Sequence, residues 1–252
     1  QRVRPSGDNV KTTKGTASGA ISFMQIFDKM TDVVKQGGTR RGANMGILPY
    51  WHPEIEAFID MKTKPGVMEN FNVSVTVDGK FMDAAEKGEE YDLLNPRTMQ
   101  PTGKRMNAKT IFDKMVEGAW RSGDPGIIFI DRINNSPSNP TPHLGQIEST
   151  NPCGEQPLLP NEPCNLGSIN LSNFVDGEVG QGKMNWDRLG KTVALAVRFL
   201  DDVIEVNNYP LPQIEELSKG NRRIGLGVMG WAEALVKMGV PYDSDASLKA
   251  AA

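Results

Sequence analysis

Segments with helical periodicity alternate with short apolar segments along the whole 252-residue chain. Residues 70–79, NFNVSVTVDG, place an apolar side chain at every second position, which predicts a strand ending at a turn. Residues 126–134, GIIFIDRIN, predict a near-continuous buried strand. A helix of about twenty residues is predicted to end before Pro210. Helices alternating with buried strands indicate an α/β fold with largely parallel pairing, as one domain or part of one.

Residue types at segment ends predict where several helices begin and end. Ser22 is a candidate N-cap and Gly37 a candidate stop for the first long helix. Asn107 and Gly123 have the same roles for residues 107–123, and Pro53 is expected in the first turn of another helix. The first helix is predicted to carry one apolar face: Phe23, Ile26, Phe27, Met30, Val33 and Val34.

Composition and charge argue against several classes of function. The net charge of -3 offers no basic field for nucleic acid. No apolar run approaches the roughly 20 residues that span a bilayer, and the N-terminus QRVRPSGDNV lacks a signal-peptide core, so a cytoplasmic protein without membrane contact is expected. His52 and His143 are not at ligand spacing from a cysteine or from each other, so no metal site is predicted for this chain alone.

Both chain ends suggest an internal piece of a longer protein. The sequence starts at Gln1 without methionine and stops in DSDASLKAAA, where an amphipathic helix has just begun. We therefore expect residues 1–252 to be a central fragment.

Residues 225–230, GLGVMG, match the dinucleotide-binding pattern G-x-G-x-x-G. The preceding stretch, KGNRRI, is polar and basic, whereas that site needs a buried strand there. We expect a glycine-rich turn that allows close backbone packing. Arg222 and Arg223 are expected to be a solvated or subunit-facing pair.

Two glycine-rich loops have the composition of nucleotide-contacting loops. In VVKQGGTRRGANMG, the side chains of Lys35, Gln36, Arg40 and Arg41 supply donors suited to a phosphate or a base edge. Residues 6–19, SGDNVKTTKGTASG, are rich in Gly, Ser, Thr and Lys, as phosphate-binding loops are. The alternative for the first is a helix end followed by a solvated turn, and for the second an exposed linker.

Both cysteines of the chain lie in residues 148–171, ESTNPCGEQPLLPNEPCNLGSINL. In an extended backbone, Asn151, Cys153 and Glu155 would project from one side and present an amide, a thiol and a carboxylate together. A cysteine is more often a small buried hydrophobe. Glu155 weakens that alternative, because a carboxylate beside an apolar core is costly to bury.

The same segment resembles the active-site region of the ribonucleotide reductase large chain. Its NPCGE form is most similar to the adenosylcobalamin-dependent class II enzymes. VVKQGGTRRGANMGIL, SGDPGIIFIDRIN, NPTPHLGQIEST and RRIGLGVMGWAEAL resemble further family segments in the family order. The resemblance implies part of a ten-stranded α/β barrel of the ribonucleotide reductase and glycyl-radical type, in which GLGVMG is a barrel element.

The resemblance also implies residue roles. Cys153 matches the cysteine whose thiyl radical removes the ribose 3' hydrogen, and Glu155 matches the base that accepts the 3'-hydroxyl proton. Asn151 matches the amide that hydrogen-bonds the ribose. Cys164 matches one of the two cysteines that supply reducing equivalents. Residues matching the loops that read effector and substrate bases are Lys35, Gln36, Arg40, Arg41, Ala43 and, more remotely, Lys11.

The implied function is reduction of ribonucleotides to deoxyribonucleotides, with adenosylcobalamin as cofactor and allosteric control of base specificity. Expected partners are a ribonucleoside di- or triphosphate, a deoxynucleotide or ATP effector and a thioredoxin- or glutaredoxin-type reductant, and a homodimer is compatible with the family. Residues that bind the cofactor are not assigned. Two alternatives stay open: a class I large subunit served by a separate radical-generating subunit, and a catalytically silent nucleotide-binding fragment.

Overall fold

The computed structural model describes residues 3–10, 14–34 and 42–252, which fall into two compact units, Gln1–Pro160 and Asn161–Ala252. The strands of the first unit are β1 (Asn9–Val10), β2 (Gly15–Thr16), β3 (Asn44–Pro49), β4 (Phe71–Val77), β5 (Glu90–Leu94), β6 (Pro101–Asn107), β7 (Gly126–Phe129), β8 (Ser149–Thr150) and β9 (Pro157–Leu158). Its helices are α1 (Ala20–Val33), α2 (Ile55–Asp60), α3 (Gly79–Lys87), α4 (Ala108–Ser122) and α5 (Ile130–Asn134).

The second unit is built around two longer strands and one long helix. Its strands are β10 (Asn165–Asn170), β11 (Val175–Asp176), β12 (Lys183–Met184) and β13 (Ile224–Met229). Its helices are α6 (Trp186–Val206), α7 (Pro212–Asn221), α8 (Trp231–Met238) and α9 (Asp245–Ala251), with a 3₁₀ turn at Leu171–Phe174.

A parallel sheet in the order β3-β4-β7 forms the centre of the first unit. The predicted strand at residues 70–79 is confirmed as β4, with Val73, Val75 and Val77 buried. Ser74 and Thr76 on the opposite face are buried too. Both faces of this central strand are therefore covered, as is usual for parallel sheets.

Helices pack on this sheet and complete the hydrophobic core of the first unit. The sheet valines share one buried cluster with Phe58 of α2, Phe81 of α3, and Ile111 and Met115 of α4. The predicted caps of α4 are confirmed: the Thr110 N–H donates to Asn107 Oδ1 at 3.0 Å, and Gly123 ends the helix with φ 83°. Asn107 and Gly123 thus satisfy backbone groups that the ends of α4 would leave unpaired.

The first helix is confirmed, but its predicted cap is wrong. Gly19 is the residue before α1, and the Ala20 N–H donates to Glu54 Oε2 at 3.0 Å. Ser22 lies inside the helix and donates to the Ser18 carbonyl instead. The apolar face of α1 is exposed in this unit, with no buried residue on the helix. Gly37 lies outside the described residues.

Three other predictions differ from the structure. Pro53 lies before the N-cap Glu54 of α2, so it is not in the first helical turn. The strand predicted over residues 126–134 ends at Phe129, and the rest forms the short helix α5. Sequence reasoning also missed the antiparallel hairpin β5–β6, because the apolar alternation that signals a strand is absent from the largely exposed β6.

In the second unit, β10 pairs in parallel with β13, in a register from Asn165 opposite Ile224 to Asn170 opposite Met229. The predicted long helix is confirmed as α6, which packs against β10. The GLGVMG segment is mainly strand β13, so it is a sheet element with Gly230 leading into α8. The parallel α/β prediction therefore holds within both units, although the described strands do not close into a barrel.

None of the helices in the described ranges is both long enough and apolar enough to cross a lipid bilayer.

Candidate active-site loop and the Cys164 segment

The NPCGE residues form the loop between β8 and β9, a hairpin with the pairs Ser149–Leu158 and Thr150–Pro157. The extended strip predicted for this loop is wrong. The Gly154 N–H donates to the Asn151 carbonyl at 3.0 Å, which closes a turn, and Gly154 has φ 84°. A sequence signal for this turn exists, because asparagine first, proline second and glycine fourth are favoured in type I turns.

Asn151 closes the loop through both its backbone and its side chain. Its N–H donates to the Gln156 carbonyl at 3.2 Å, while its Oδ1 accepts from the Gln156 N–H at 3.0 Å. Its Nδ2 makes no hydrogen bond to any described residue. Asn151 therefore orders the loop with its oxygen and keeps its NH₂ group available as a donor.

A residue that sequence reasoning missed ties the loop to the central sheet. Asn72, near the start of β4, donates from Nδ2 to the Pro152 carbonyl at 2.5 Å. The two residues are 80 positions apart in sequence, so no local pattern signals the contact. The loop is therefore anchored beside Cys153 to the most deeply packed strand of the unit.

Cys153 and Glu155 are the exposed functional groups of the loop. Cys153 is a free cysteine, and neither side chain forms a hydrogen bond or ion pair with a described residue. A solvent-accessible thiol can meet a reactant, and an unpaired carboxylate can accept a proton. The structure thus brings Asn151, Cys153 and Glu155 together in one turn instead of along one strand face.

Cys164 belongs to the second unit, one residue before β10. It is partly buried, and its thiol donates to the Asn165 carbonyl with an Sγ–O distance of 3.3 Å. The residue lines a cavity of about 90 Å³ together with Tyr209 and Arg223, among others. A partly buried thiol beside a small cavity is accessible to fewer reactants than an exposed thiol.

Arg222 and Arg223 each bind acidic side chains within the second unit. The predicted solvated or subunit-facing pair is wrong for Arg223, whereas Arg222 is partly exposed to solvent. The Arg223 side chain is 15% exposed and forms a two-point ion pair with Glu162, whose side chain is fully buried. Arg222 Nε contacts Asp201 at 2.7 Å, and its Nη1 contacts Glu205. A buried carboxylate requires such a partner, which the sequence could not identify.

A larger cavity of about 420 Å³ lies in the first unit at the carboxyl ends of β3 and β4. His52, only 3% exposed, lines it beside Thr76. Its Nδ1 accepts from the Glu54 N–H at 3.1 Å, while Nε2 makes no hydrogen bond to a described residue. Burial lowers the pKa of His52, with the nearby Glu54 carboxylate acting in the opposite direction.

The residues expected to read nucleotide bases are mostly outside the described part of the chain. Lys11, Lys35, Gln36, Arg40 and Arg41 all lie there. Ala43 is described and is exposed immediately before β3.

Comparison with known proteins agrees with the architecture. The family model described as "Ribonucleotide reductase, barrel domain" matches residues 1–252. The chain is 54% identical over 245 residues to the vitamin B12-dependent ribonucleoside-diphosphate reductase of Thermoplasma acidophilum, covering 96% of this chain and 31% of the relative. It is 47% identical to the protein of the same name from Mycobacterium tuberculosis, covering 99% of this chain and 35% of that protein.

A more distant relative is the ribonucleoside-diphosphate reductase subunit alpha of Chlamydia trachomatis, 29% identical over 98% of this chain and 26% of the relative. The chain therefore spans between a quarter and about a third of the length of these relatives. Since the barrel-domain model matches from the first residue to the last, the chain belongs to the ribonucleotide reductase family.

Proposed function

We propose that these residues form part of a longer reductase chain that converts ribonucleotides to 2'-deoxyribonucleotides through a radical on Cys153. The observation that carries the proposal is the exposed Cys153 thiol at a turn whose other side chains include a free amide donor and a free carboxylate. Such a thiol is accessible to both a radical source and a nucleotide. Sulfur also holds an unpaired electron that carboxylate and amide groups do not.

Each of the three loop residues would have a separate role in the reaction. The Cys153 thiyl radical takes the 3' hydrogen, so an S–H bond forms and the C3'–H bond breaks. Glu155 accepts the 3'-hydroxyl proton, and the Asn151 NH₂ group donates to a ribose oxygen. After the 2' carbon is reduced, Cys153 returns a hydrogen atom to C3' and regains its radical.

Cys164 and a second thiol outside these 252 residues would supply the reducing equivalents. The two thiols give up two electrons and two protons and join as a disulfide, while the 2'-hydroxyl leaves as water. The sequence contains two cysteines, and Cys153 already has the radical role, so the second reducing thiol has to come from elsewhere. A thioredoxin- or glutaredoxin-type dithiol would then reduce the disulfide.

Adenosylcobalamin is the proposed radical source, in agreement with the names of the two more similar relatives. When bound, it would supply the unpaired electron that no side chain generates unaided. The exposed position of Cys153 fits this role, because a large cofactor has to approach the sulfur directly. Lys11, Lys35, Gln36, Arg40, Arg41 and Ala43 are proposed to contact the effector or the substrate base.

The test uses the full-length reductase chain and substrate tritiated at C3'. Cys153→Ser should abolish tritium release and deoxynucleotide formation while nucleotide binding persists, because an alkoxyl radical does not replace the thiyl radical. Cys164→Ser should stop multiple turnover with a dithiol reductant yet permit hydrogen abstraction. Tritium release that continues in Cys153→Ser would refute the assignment of the radical site.

The same assay with and without adenosylcobalamin tests the cofactor. The proposal predicts activity only when the cofactor is added. Activity without it, given a separate metal-containing subunit, would identify a class I enzyme. Nucleotide binding with no turnover under either condition would identify a silent nucleotide-binding protein.

A further inference from the structure

A buried ion pair lies just before the two parallel strands of the second unit. Arg223 Nε and Nη2 each lie 3.2 Å from an oxygen of Glu162, and Asn221 Nδ2 donates to the same carboxylate at 2.7 Å. The Glu162 side chain is fully buried. Since β10 and β13 pair from their first residues, the ion pair joins the two segments that lead into the sheet.

Cys164 sits between this ion pair and a second attachment. Glu162 lies two residues before it, and Asn165 follows it directly. Asn165 donates from Nδ2 to the Leu200 carbonyl of α6 at 2.8 Å, which fixes the start of β10 to the long helix. The cysteine is thus held from both sides, and it lines the cavity of about 90 Å³.

A positively charged residue lines the same cavity as the cysteine. Arg223 lines the cavity and also binds Glu162, which is not among the lining residues. In general, a guanidinium near a thiol favours the thiolate, and a carboxylate bound to that guanidinium acts in the opposite direction. Among the described residues, the charged and titratable groups of this region are Glu162, Tyr209 and Arg223, with Arg222, Asp201 and Glu205 in a separate, more exposed network.

We propose that the Glu162–Arg223 ion pair is a positioning device that fixes the Cys164 thiol for disulfide formation and balances the charge beside it. The inference rests on the proposed role of Cys164 as a reducing thiol. Disulfide formation requires the two sulfur atoms to meet within a narrow range of distances and torsion angles. A cysteine on a segment without this ion pair would be less restrained and would reach that geometry less often.

Two single variants in the full-length chain separate positioning from charge. Arg223→Met removes the two-point contact with Glu162 and the positive charge, whereas Glu162→Gln keeps nearly the same side-chain shape and removes the negative charge. Both should slow multiple turnover with a dithiol reductant by about tenfold, since small misplacements of a reacting group are costly. Tritium release from C3' should stay within about twofold of the parent, because Cys153 is unchanged.

Iodoacetamide labelling of Cys164, followed by peptide mass spectrometry across pH, provides the readout that a merely structural role would not produce. The pH midpoint of labelling should fall in Glu162→Gln, where Arg223 is no longer neutralised, and rise in Arg223→Met. Simple loosening of the segment would shift the pH midpoint of labelling in the same direction in both variants. Cys153 labelling in the same samples is the internal reference.

Arg222→Met is the matched control, because it removes the neighbouring arginine and its separate ion pairs. It should leave Cys164 labelling and turnover unchanged. If a single variant fails to fold, Glu162→Gln/Arg223→Met replaces it, because removing both charges avoids an unpaired buried ion. The double variant should show slow turnover with a labelling midpoint between those of the single variants.

Parent-like turnover and Cys164 labelling in both single variants would overturn the positioning role even if Cys164→Ser is inactive. Dithiol-driven turnover that persists in Cys164→Ser would instead refute the proposed role of Cys164. The two failures are therefore distinguishable in one set of proteins.

Discussion

His52 shows how a single buried side chain makes the first unit sensitive to pH. Its Nδ1 must be unprotonated to accept the Glu54 N–H, and its surroundings exclude most water. Burial therefore lowers its pKa below the 6.5 of an exposed histidine. The unfolded chain binds a proton at higher pH than the folded chain does, so folding is favoured most above about pH 6.5 and less as the pH falls.

The variant His52→Asn tests this coupling, because an asparagine oxygen can accept an N–H two residues ahead without titrating. The free energy of unfolding should fall less between about pH 7.5 and 5.5 in this variant than in the parent. Urea unfolding at several pH values measures the difference. His143→Asn, at an exposed position, is the control and should retain the slope of the parent. Equal slopes in His52→Asn and the parent would contradict the explanation.

At the scale of elements, the hairpin that contains Cys153 is stabilised mainly by hydrogen bonds other than those that pair its two strands. Each of its strands contributes two residues, so β8 and β9 alone give little order. The two Asn151–Gln156 hydrogen bonds and the bond from Asn72 add the missing constraints. The orientation of the thiol therefore depends on a side chain of β4.

Asn72→Ala should loosen this hairpin without unfolding the unit. Loss of one hydrogen bond costs about 1 kcal/mol, which corresponds to a roughly fivefold rise in local opening. Hydrogen exchange of the Gly154 and Gln156 amides should quicken by that factor, while exchange in β4 and α4 should not change. Asn72→Asp keeps the size but replaces the donor with an acceptor, so it should loosen the loop at least as much. Unchanged exchange in both variants would show that the Asn72 bond does not order the loop.

Elements fixed by local interactions could be predicted from the sequence. The alternating valines of β4 and the caps Asn107 and Gly123 of α4 are recognisable because the interacting residues are neighbours. The cap that Glu54 gives to α1, the Asn72 contact and the Glu162–Arg223 pair involve partners 34, 80 and 61 residues apart. Such pairs depend on how the chain packs, which local patterns do not encode.

The candidate site was likewise predicted only in part. Sequence placed Asn151, Cys153 and Glu155 in one short segment, and the structure describes all three in one loop. Their arrangement was mispredicted because Gly154 adopts a positive φ and the Asn151 side chain closes the turn. Residue types thus indicated the chemistry better than they indicated the backbone that presents it.

At the scale of the whole molecule, the number of cysteines limits what these residues can do alone. The proposed reaction uses three thiols, and the sequence has two. The purified 252-residue polypeptide should therefore fail to sustain reduction of ribonucleotides with adenosylcobalamin and a dithiol. The full-length chain, assayed in parallel, is the positive control. Sustained deoxynucleotide formation by the 252 residues would mean that the third thiol is not needed.

The parallel pairing of β10 with β13 also has a consequence for the order of folding. Roughly 60 residues separate the paired positions, and closing so long a loop has an entropic cost that slows the formation of nonlocal contacts. During synthesis the ladder cannot start until α6, α7 and the two arginines that follow have left the ribosome. The strand that follows Cys164 is therefore among the later parts of this unit to reach its final neighbours, and until then the thiol is open to oxidation and mispairing.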